Sequence, residues 1–515
     1  MGIRRTCKVQ IGRGHGLYPW CETITSLANN LYNACRFRQR QLITAARKTD
    51  RELTDNEKGI IAEFLSVLNC NGRSGLPTYP RYETFDTVMK LTKNPDYYAK
   101  GLPRQSAQQV LKRSCTDVDN FFAAVKAWKD RGCPEGERPK FPGYKRKGGH
   151  AAVAITNQDC TLKEGRDGNL IAGLPFAKSM PLKIGFPLGR LKQAEVCPDN
   201  GVYVIAFSFE LDLEVPVPVH PASRIAAIDF GVDNLMAVTN NCGLPCLLYK
   251  GGIVKSTNQG YNKRLAQIMQ EEMKKPGCPK NKEGKPRFVP TEESMGMTLR
   301  RNNIVHDFMH KAAKHLVLWC VDNRIDTIAA GVNAGFKQEV NIGHINNQNF
   351  VQIPFAYLRS CIKYLCEEQG ILYVEREESY TSKASFPDMD YIPTYGVDDQ
   401  NVSFSGRRKP TRYRGMYKKS GFRGLYVSGN GAVINSDLNG SANILRKEYP
   451  DAFERGEMPD FNKIQVIRHP DQERNTANRE TQKKNHTEPS KSKLRRERRK
   501  ARIFKSNPIR IGLCE

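Results

Sequence analysis

Two aspartates carry the strongest chemical signal in this sequence. Asp229 lies in AAIDFG, inside an otherwise apolar run. A carboxylate in such a strand is costly unless a partner or a cation meets it. Asp437 lies in NSDLNGSAN, at the expected start of a helix, where Asp also serves as an N-cap. Further acids are available at Glu339 and in the run Glu375, Glu377 and Glu378. Carboxylates that converge can hold two divalent ions about 4 Å apart, one activating water and the other stabilising the leaving oxygen. Mg²⁺ prefers oxygen ligands and keeps several waters, so few protein ligands are enough.

The elements around these acids predict such a convergence. IAAIDF (225–230) reads as a buried strand, and LMAVTN and CLLYKGGIV as a hairpin beside it. A basic amphipathic helix is expected over about 297–323, then a strand at 325–331. Phe355, Leu358, Ile362 and Leu365 mark a helix at 354–368. ILYVER (371–376) is a third parallel strand, and DLNGSANILRK (437–447) opens the last helix. This is the ribonuclease H arrangement, a mixed sheet with helices on both faces. In it, the first strand's Asp and the last helix's N-terminal Asp meet at one edge.

The rest of the chain points to a polyanion. The 515 residues suggest three or four domains at roughly 150 residues each. The net charge of +27 argues against a small-molecule enzyme alone and for nucleic acid, with a basic membrane-surface protein as the rival. No apolar run approaches bilayer length. The 15 cysteines are scattered without a C-x-x-C pair, which implies a reduced, cytoplasmic setting. MGIRRT formally fits a myristoylation pattern, but the same residues open a strand, Thr6 to Ile11. Helical spacing is seen over 20–47. It is clearer over 104–130, where Val110, Leu111, Cys115, Val118, Phe121, Phe122, Val125 and Trp128 form one stripe. RPKFPGYKRK (138–147) is a loop of cations and aromatics that could follow a phosphate backbone or be a solvated linker. Alternation from Tyr203 to Val215 predicts a long strand, with a domain boundary near residue 221. Residues 387–430 read as an inserted, loop-dominated subdomain. Residues 471–515 read as a basic, disordered tail, with nine cations and one acid over 491–505.

IAAIDFGVDNLMAV, ESYTSKAS and SDLNGSANIL together resemble the three nuclease motifs of the TnpB proteins of bacterial insertion sequences. They are also similar to those of the miniature type V CRISPR effectors descended from TnpB. FKQEVNIGHINNQNFVQIPF and RPKFPGYK match the same families, so the resemblance covers most of residues 70–447. It implies a multidomain α+β chain with an RNase H-like (RuvC) α/β nuclease domain over 222–386 and 431–470. It further implies a β-barrel-like wedge domain over 1–15 and 135–221, and a helical recognition domain over 16–134. The expected activity is RNA-guided DNA endonuclease, with guide RNA and target double-stranded DNA bearing a short flanking motif as partners. The catalytic and metal-holding residues would be Asp229, Glu378 and Asp437, with Mg²⁺ or Mn²⁺. Nucleic-acid contacts are expected from Lys140, Tyr144, Lys145, Arg146 and Lys147, and from Arg412, Arg414, Lys418 and Lys419. The expected setting is the bacterial cytoplasm, at the nucleoid when on DNA.

Two departures from the family pattern stand out. The usual Glu at the end of the strand IDTIAAGVN is missing, and a subset of TnpB-like proteins carries it in an EESYTS context like this one. Glu378 is therefore preferred, ahead of Glu377 and Glu339; the alternative is an impaired nuclease. The usual two C-x-x-C pairs are also missing from the inserted subdomain, where Ser385, Asp388 and Ser428 stand near the expected ligand positions. No zinc is expected there, and packing of Tyr, Phe and Arg should hold the subdomain. The rival functions are an RNA-guided DNA binder that cuts weakly or not at all, and a guide-free RuvC-type structure-specific nuclease.

Overall fold

The computed structural model describes residues 3–68, 75–77, 79–165, 168–185, 189–211, 223–333, 352–471 and 510–511. The chain divides into two units, Met1–Leu213 with Arg498–Glu515, and Glu214–Glu497. Glu339, the region 212–222 and the basic tail at 491–505 lie outside the described residues.

Among the described residues, the first unit contains a five-stranded sheet and four α-helices. Strands β1 (Ile3–Ile11), β2 (Val153–Thr156), β6 (Arg190–Asp199) and β7 (Val202–Leu211) run in the spatial order β1, β7, β6, β2. A two-residue strand, Arg510–Ile511, pairs with the other edge of β1. Between β2 and β6, strands β3 (Thr161–Glu164), β4 (Leu170–Gly173) and β5 (Leu182–Gly185) make a separate small sheet. The alternation read from the sequence is real: Tyr203, Ile205, Phe207 and Phe209 all face the core. Helices α1 (Tyr18–Ala45), α2 (Asp55–Leu68), α3 (Tyr82–Leu91) and α4 (Arg104–Asp130) complete the unit. The apolar stripe of α4 is core only in its first half. Val110, Leu111, Cys115 and Val118 are buried, whereas Phe121, Phe122, Val125 and Trp128 are half-buried. Phe121 and Phe122 join a small aromatic cluster instead, meeting each other edge-on while Phe121 meets Phe141 and Phe122 stacks on Tyr79.

The second unit is built on a six-stranded sheet. Strands β8 (Ile225–Phe230), β9 (Asn234–Asn240) and β10 (Pro245–Lys250) are antiparallel neighbours. On the other side of β8, β11 (Thr327–Val332) and then β12 (Leu372–Glu377) run parallel to it. The order β12-β11-β8-β9-β10 is the one the sequence predicts. Helices α6 (Glu292–Asp322) and α7 (Phe355–Gln369) supply the crossovers; Gly370, at φ 69°, ends α7 in the left-handed conformation. Two elements were not foreseen. GGIV does not extend β10 but opens a further helix, α5 (Gly252–Lys274), which buries only Val254, Asn258 and Ile268, so no continuous apolar stripe announces it. A sixth strand, Asp460–Ile467, adds parallel to β10 at the outer edge; its four central residues are exposed, so no apolar alternation marks it.

The last helix, α8 (Ser436–Glu448), closes one face of this sheet. Ile444 and Leu445 pack against Ile225, Ala227 and Ala329, while Leu438 packs against Ala237, Cys246 and Leu248. The small alanines let the helix approach closely. Its buried polar residues are all engaged, as burial without partners would be costly. Ser441 donates to the Ala227 carbonyl at 2.8 Å, and Asn439 and Asn443 donate to the Ala384 carbonyl at 2.8 and 2.7 Å.

Residues 407–435 hold three- and two-stranded patches of very short strands. Aromatic packing is present there, with Tyr413 near Phe422 and Tyr426 fully buried. The larger feature is a carboxylate hub that the sequence did not announce. Asp388 accepts from Ser385 Oγ (2.6 Å), Ser405 Oγ (2.8 Å), Gly429 N (2.6 Å) and Asn430 N (3.0 Å). Ser428 joins the same turn by donating to Asn430 Oδ1 at 2.6 Å. Desolvation pushes the Asp388 carboxyl up, but these donors outweigh it and hold it below the ordinary aspartate range.

Candidate active site

Asp229 is the penultimate residue of β8 and pairs with Ala237. Its residue surface is partly accessible, and its carboxyl lies against helix α8. A Cβ placed on Gly440 would stand 2.5 Å from Asp229 Oδ2, so only glycine lets the helix cross here. Among the described residues, no hydrogen bond or ion pair reaches the Asp229 carboxylate. Loss of water pushes its pKa well up, and the nearby carboxylates of Asp437 and Glu378 push it further; Arg408 opposes them.

Asp437 is not the cap of α8. Asn435 takes that role, its Oδ1 accepting from Asp437 N at 3.0 Å and Leu438 N at 3.2 Å. The Asp437 side chain is thereby free for other partners. Asn234 donates to its Oδ2 at 2.7 Å, and Arg408 pairs with its Oδ1 at 2.6 Å. Asn234 is in turn held by Lys250, whose Nζ donates to Asn234 Oδ1 at 2.6 Å.

Three acids at the end of β12 part ways. Glu375 is exposed and pairs with Arg359 at 3.5 Å. Glu377 pairs with Lys447 at 2.8 Å and accepts from Ser379 N and Oγ. Desolvation raises its pKa, but Lys447 and Ser379 outweigh that and hold it low. Glu378 lies just past the strand, and its Oε2 would be 2.9 Å from a Cβ on Gly331, near the end of β11. Its carboxyl therefore fills space beside the strand that lacks an acid of its own. Desolvation, aided by Glu377, pushes its pKa up to about 7 against the pull of Arg359 and Lys447.

The structure thus brings Asp229, Glu378 and Asp437 into one electrostatic neighbourhood and turns Glu377 and Glu375 elsewhere. Among the described residues, no group of three His, Cys, Asp or Glu side chains is gathered tightly enough to hold a metal ion as it stands. Asn234, Lys250 and Arg408 were missed at the sequence level. Asn234 had a readable signal, a polar residue heading an apolar strand five positions after Asp229. The other predicted contacts, Lys140, Tyr144, Lys145, Arg146 and Lys147 in one unit and Arg412, Arg414, Lys418 and Lys419 in the other, are all exposed.

Residues 208–336 match the family OrfB_IS605, described as a probable transposase. Over 380 residues the chain is 22% identical to the TnpB-like protein ORF457 of Acidianus two-tailed virus, covering 67% of this chain and 73% of that one. The chain resembles the TnpB family. Among solved structures, the Cas12f1–sgRNA–target DNA complex is 12% identical, with coverage of 86% of this chain and 98% of that chain and a TM-score of 0.30. The AacC2c1–sgRNA–extended non-target DNA complex is 7% identical, with coverage of 82% and 67% and a TM-score of 0.39. At such scores the likeness is loose, and the TnpB resemblance is carried by the sequence matches. No helix among the described residues is long and apolar enough to cross a membrane.

Proposed function

We propose that this chain is an RNA-guided DNA endonuclease that hydrolyses phosphodiester bonds of guide-matched DNA. The observation that carries the reading is the unpaired carboxylate of Asp229, set against helix α8 on the central strand of a ribonuclease H-order sheet, with Glu378 and Asp437 in its field. The TnpB resemblance and the net charge of +27 support guide RNA and target DNA as the partners.

The donors suit Mg²⁺ or Mn²⁺. They are hard carboxylate oxygens, and Asp229 sits where a negative charge needs a cation. Asp229, Glu378 and Asp437 would hold the ions, whose chemistry is to activate water and stabilise the leaving oxygen. Asn234 orients Asp437 through its Oδ2. Glu378, raised to about 7, must lose its proton before it can serve as a ligand. Arg408 must release Asp437 Oδ1, and a guanidinium freed at that edge can meet a substrate phosphate. The exposed cations of 138–147 and 412–419 would follow the nucleic-acid backbone.

A second reading is RNA-guided DNA binding with weak or no cleavage. The ion pair between Arg408 and Asp437 favours it, because that pair engages the third carboxylate. One experiment separates the two: sequence the RNA that co-purifies with the protein, then assay matched DNA with and without Mg²⁺. Cleavage that vanishes in Asp229→Ala supports the nuclease. Bound RNA with DNA binding but no Asp229-dependent cutting supports the second reading, and absence of bound RNA defeats both.

A further inference from the structure

Lys447 is almost wholly buried, with 4% of its side chain exposed, in the last turn of α8. A buried ammonium is retained only where acceptors surround it. Lys447 Nζ has four: Glu377 Oε2 at 2.8 Å, Ser379 O at 3.0 Å, Ser379 Oγ at 3.2 Å and Pro393 O at 3.1 Å. Two of these belong to the residue after Glu378 and one to the residue before it. Glu377 and Ser379 are also tied directly, Ser379 N donating to Glu377 Oε1 at 2.6 Å and Ser379 Oγ to Oε2 at 2.9 Å. Beyond them, Thr381 Oγ1 donates to the Glu378 carbonyl at 2.8 Å. Both neighbours of Glu378 are therefore fixed, while its own carboxyl makes no such bond and faces Gly331.

We propose that Lys447 is the positioning residue of the site: by clamping Glu377 and Ser379 from α8, it aims the Glu378 carboxylate at the edge where Asp229 lies. The inference rests on the nuclease reading above for the identity of the bound ion. It also gives Glu377 a function, as the anchor that the lysine grips. Sequence spacing supports a shared purpose. Asp437, Gly440, Ile444 and Lys447 fall three, four and three residues apart, one face of a helix. Along that face come a ligand, the opening for Asp229, the side chain against Gly331 and the clamp on the Glu378 turn.

The test is Mn²⁺ binding to the full chain, followed by the electron paramagnetic resonance of free Mn²⁺, with RNA binding as a parallel readout. Wild type should bind Mn²⁺ in a manner abolished by Asp229→Ala. Lys447→Met should weaken that affinity about tenfold or more, the scale on which outer residues tune metal ligands, and leave RNA affinity unchanged. Glu377→Gln should weaken it less, and the double variant should be no worse than Lys447→Met alone, because both act through one clamp. A role in stability alone would lower the melting temperature and leave Mn²⁺ affinity of the folded protein intact, which overturns the proposal. If Lys447→Met does not fold, Glu377→Gln decides: unchanged affinity refutes the clamp, and reduced affinity supports it. A wild type that binds no Mn²⁺ through Asp229 sinks the nuclease reading and the clamp together. A wild type that binds while Lys447→Met binds equally well sinks the clamp alone.

Discussion

At the scale of single residues, the site is decided by which acids lack partners. Glu375, Glu377 and Asp437 are ion-paired, whereas Asp229 and Glu378 have raised pKa values. Glu378→Gln keeps the shape and removes the charge, so it should abolish cleavage while DNA binding survives. Glu377→Gln should retain cutting at reduced rate; full activity in Glu378→Gln would return the role to Glu377 or Glu339. The raised pKa of Glu378 also fixes a pH dependence. Its folded value, about 7, exceeds the ordinary glutamate value of 4.5, so the cation-free protein is favoured below pH 4.5 and loses that advantage as pH rises through 7. Glu378→Gln should therefore stabilise the cation-free chain at pH 8 by up to about 3 kcal/mol, and do nothing at pH 4. Thermal unfolding at the two pH values checks this. Mg²⁺ should raise the wild-type melting temperature more at pH 8 than at pH 6, because the proton must leave first.

At the scale of elements, packing and hydrogen bonding divide the labour. The Asp388 hub ties the turns at 385, 405 and 428–430 with four donors, beside Tyr, Phe and Arg contacts such as Tyr413 with Phe422 and Arg414. Asp388→Ala should turn most of those donors over to water and cost about 1 kcal/mol, and limited proteolysis should find new cuts between 385 and 432. The strands of the second sheet were legible because their burial leaves near-continuous apolar runs: β8 matches IAAIDF residue for residue. Helix α5 and the strand Asp460–Ile467 were not legible, since each presents too little apolar surface to impose a period. The acids of the site were legible by type, but the pairing of Glu377 with Lys447, which distinguishes it from Glu378, was not. What no spacing rule could give is the pair of glycines, 331 and 440, that make room for the two carboxyls. Their demand comes from neighbours distant in sequence. Gly440→Ala should push Asp229 aside, and the loss of Mn²⁺ affinity should match that of Asp229→Ala.

At the scale of the whole molecule, charge governs affinity. With +27 net and the 138–147 cations exposed, binding to RNA should weaken steeply with salt through counterion release. The loop is a held surface: Asn33 bonds both the N–H and the carbonyl of Lys145, at 2.8 and 3.1 Å, and Asn29 bonds the Arg146 carbonyl at 3.0 Å. Changing Lys140, Lys145, Arg146 and Lys147 together to Gln should flatten the slope of log affinity against log salt by about 3, roughly 0.7 per lost single-strand contact. An unchanged slope would show that this loop touches no phosphate.

The single face of α8 that bears Asp437, Gly440, Ile444 and Lys447 has a consequence for heritable change. Each later position is indexed to the first by the helical repeat, so the four cannot drift independently. Deleting one residue between 438 and 446 swings everything after it by about 100°. Point substitutions along this helix are graded injuries; a one-codon deletion is a complete one. Lineages that keep cutting DNA should therefore vary α8 by substitution and never by length, whereas lineages that keep only binding are free to do both.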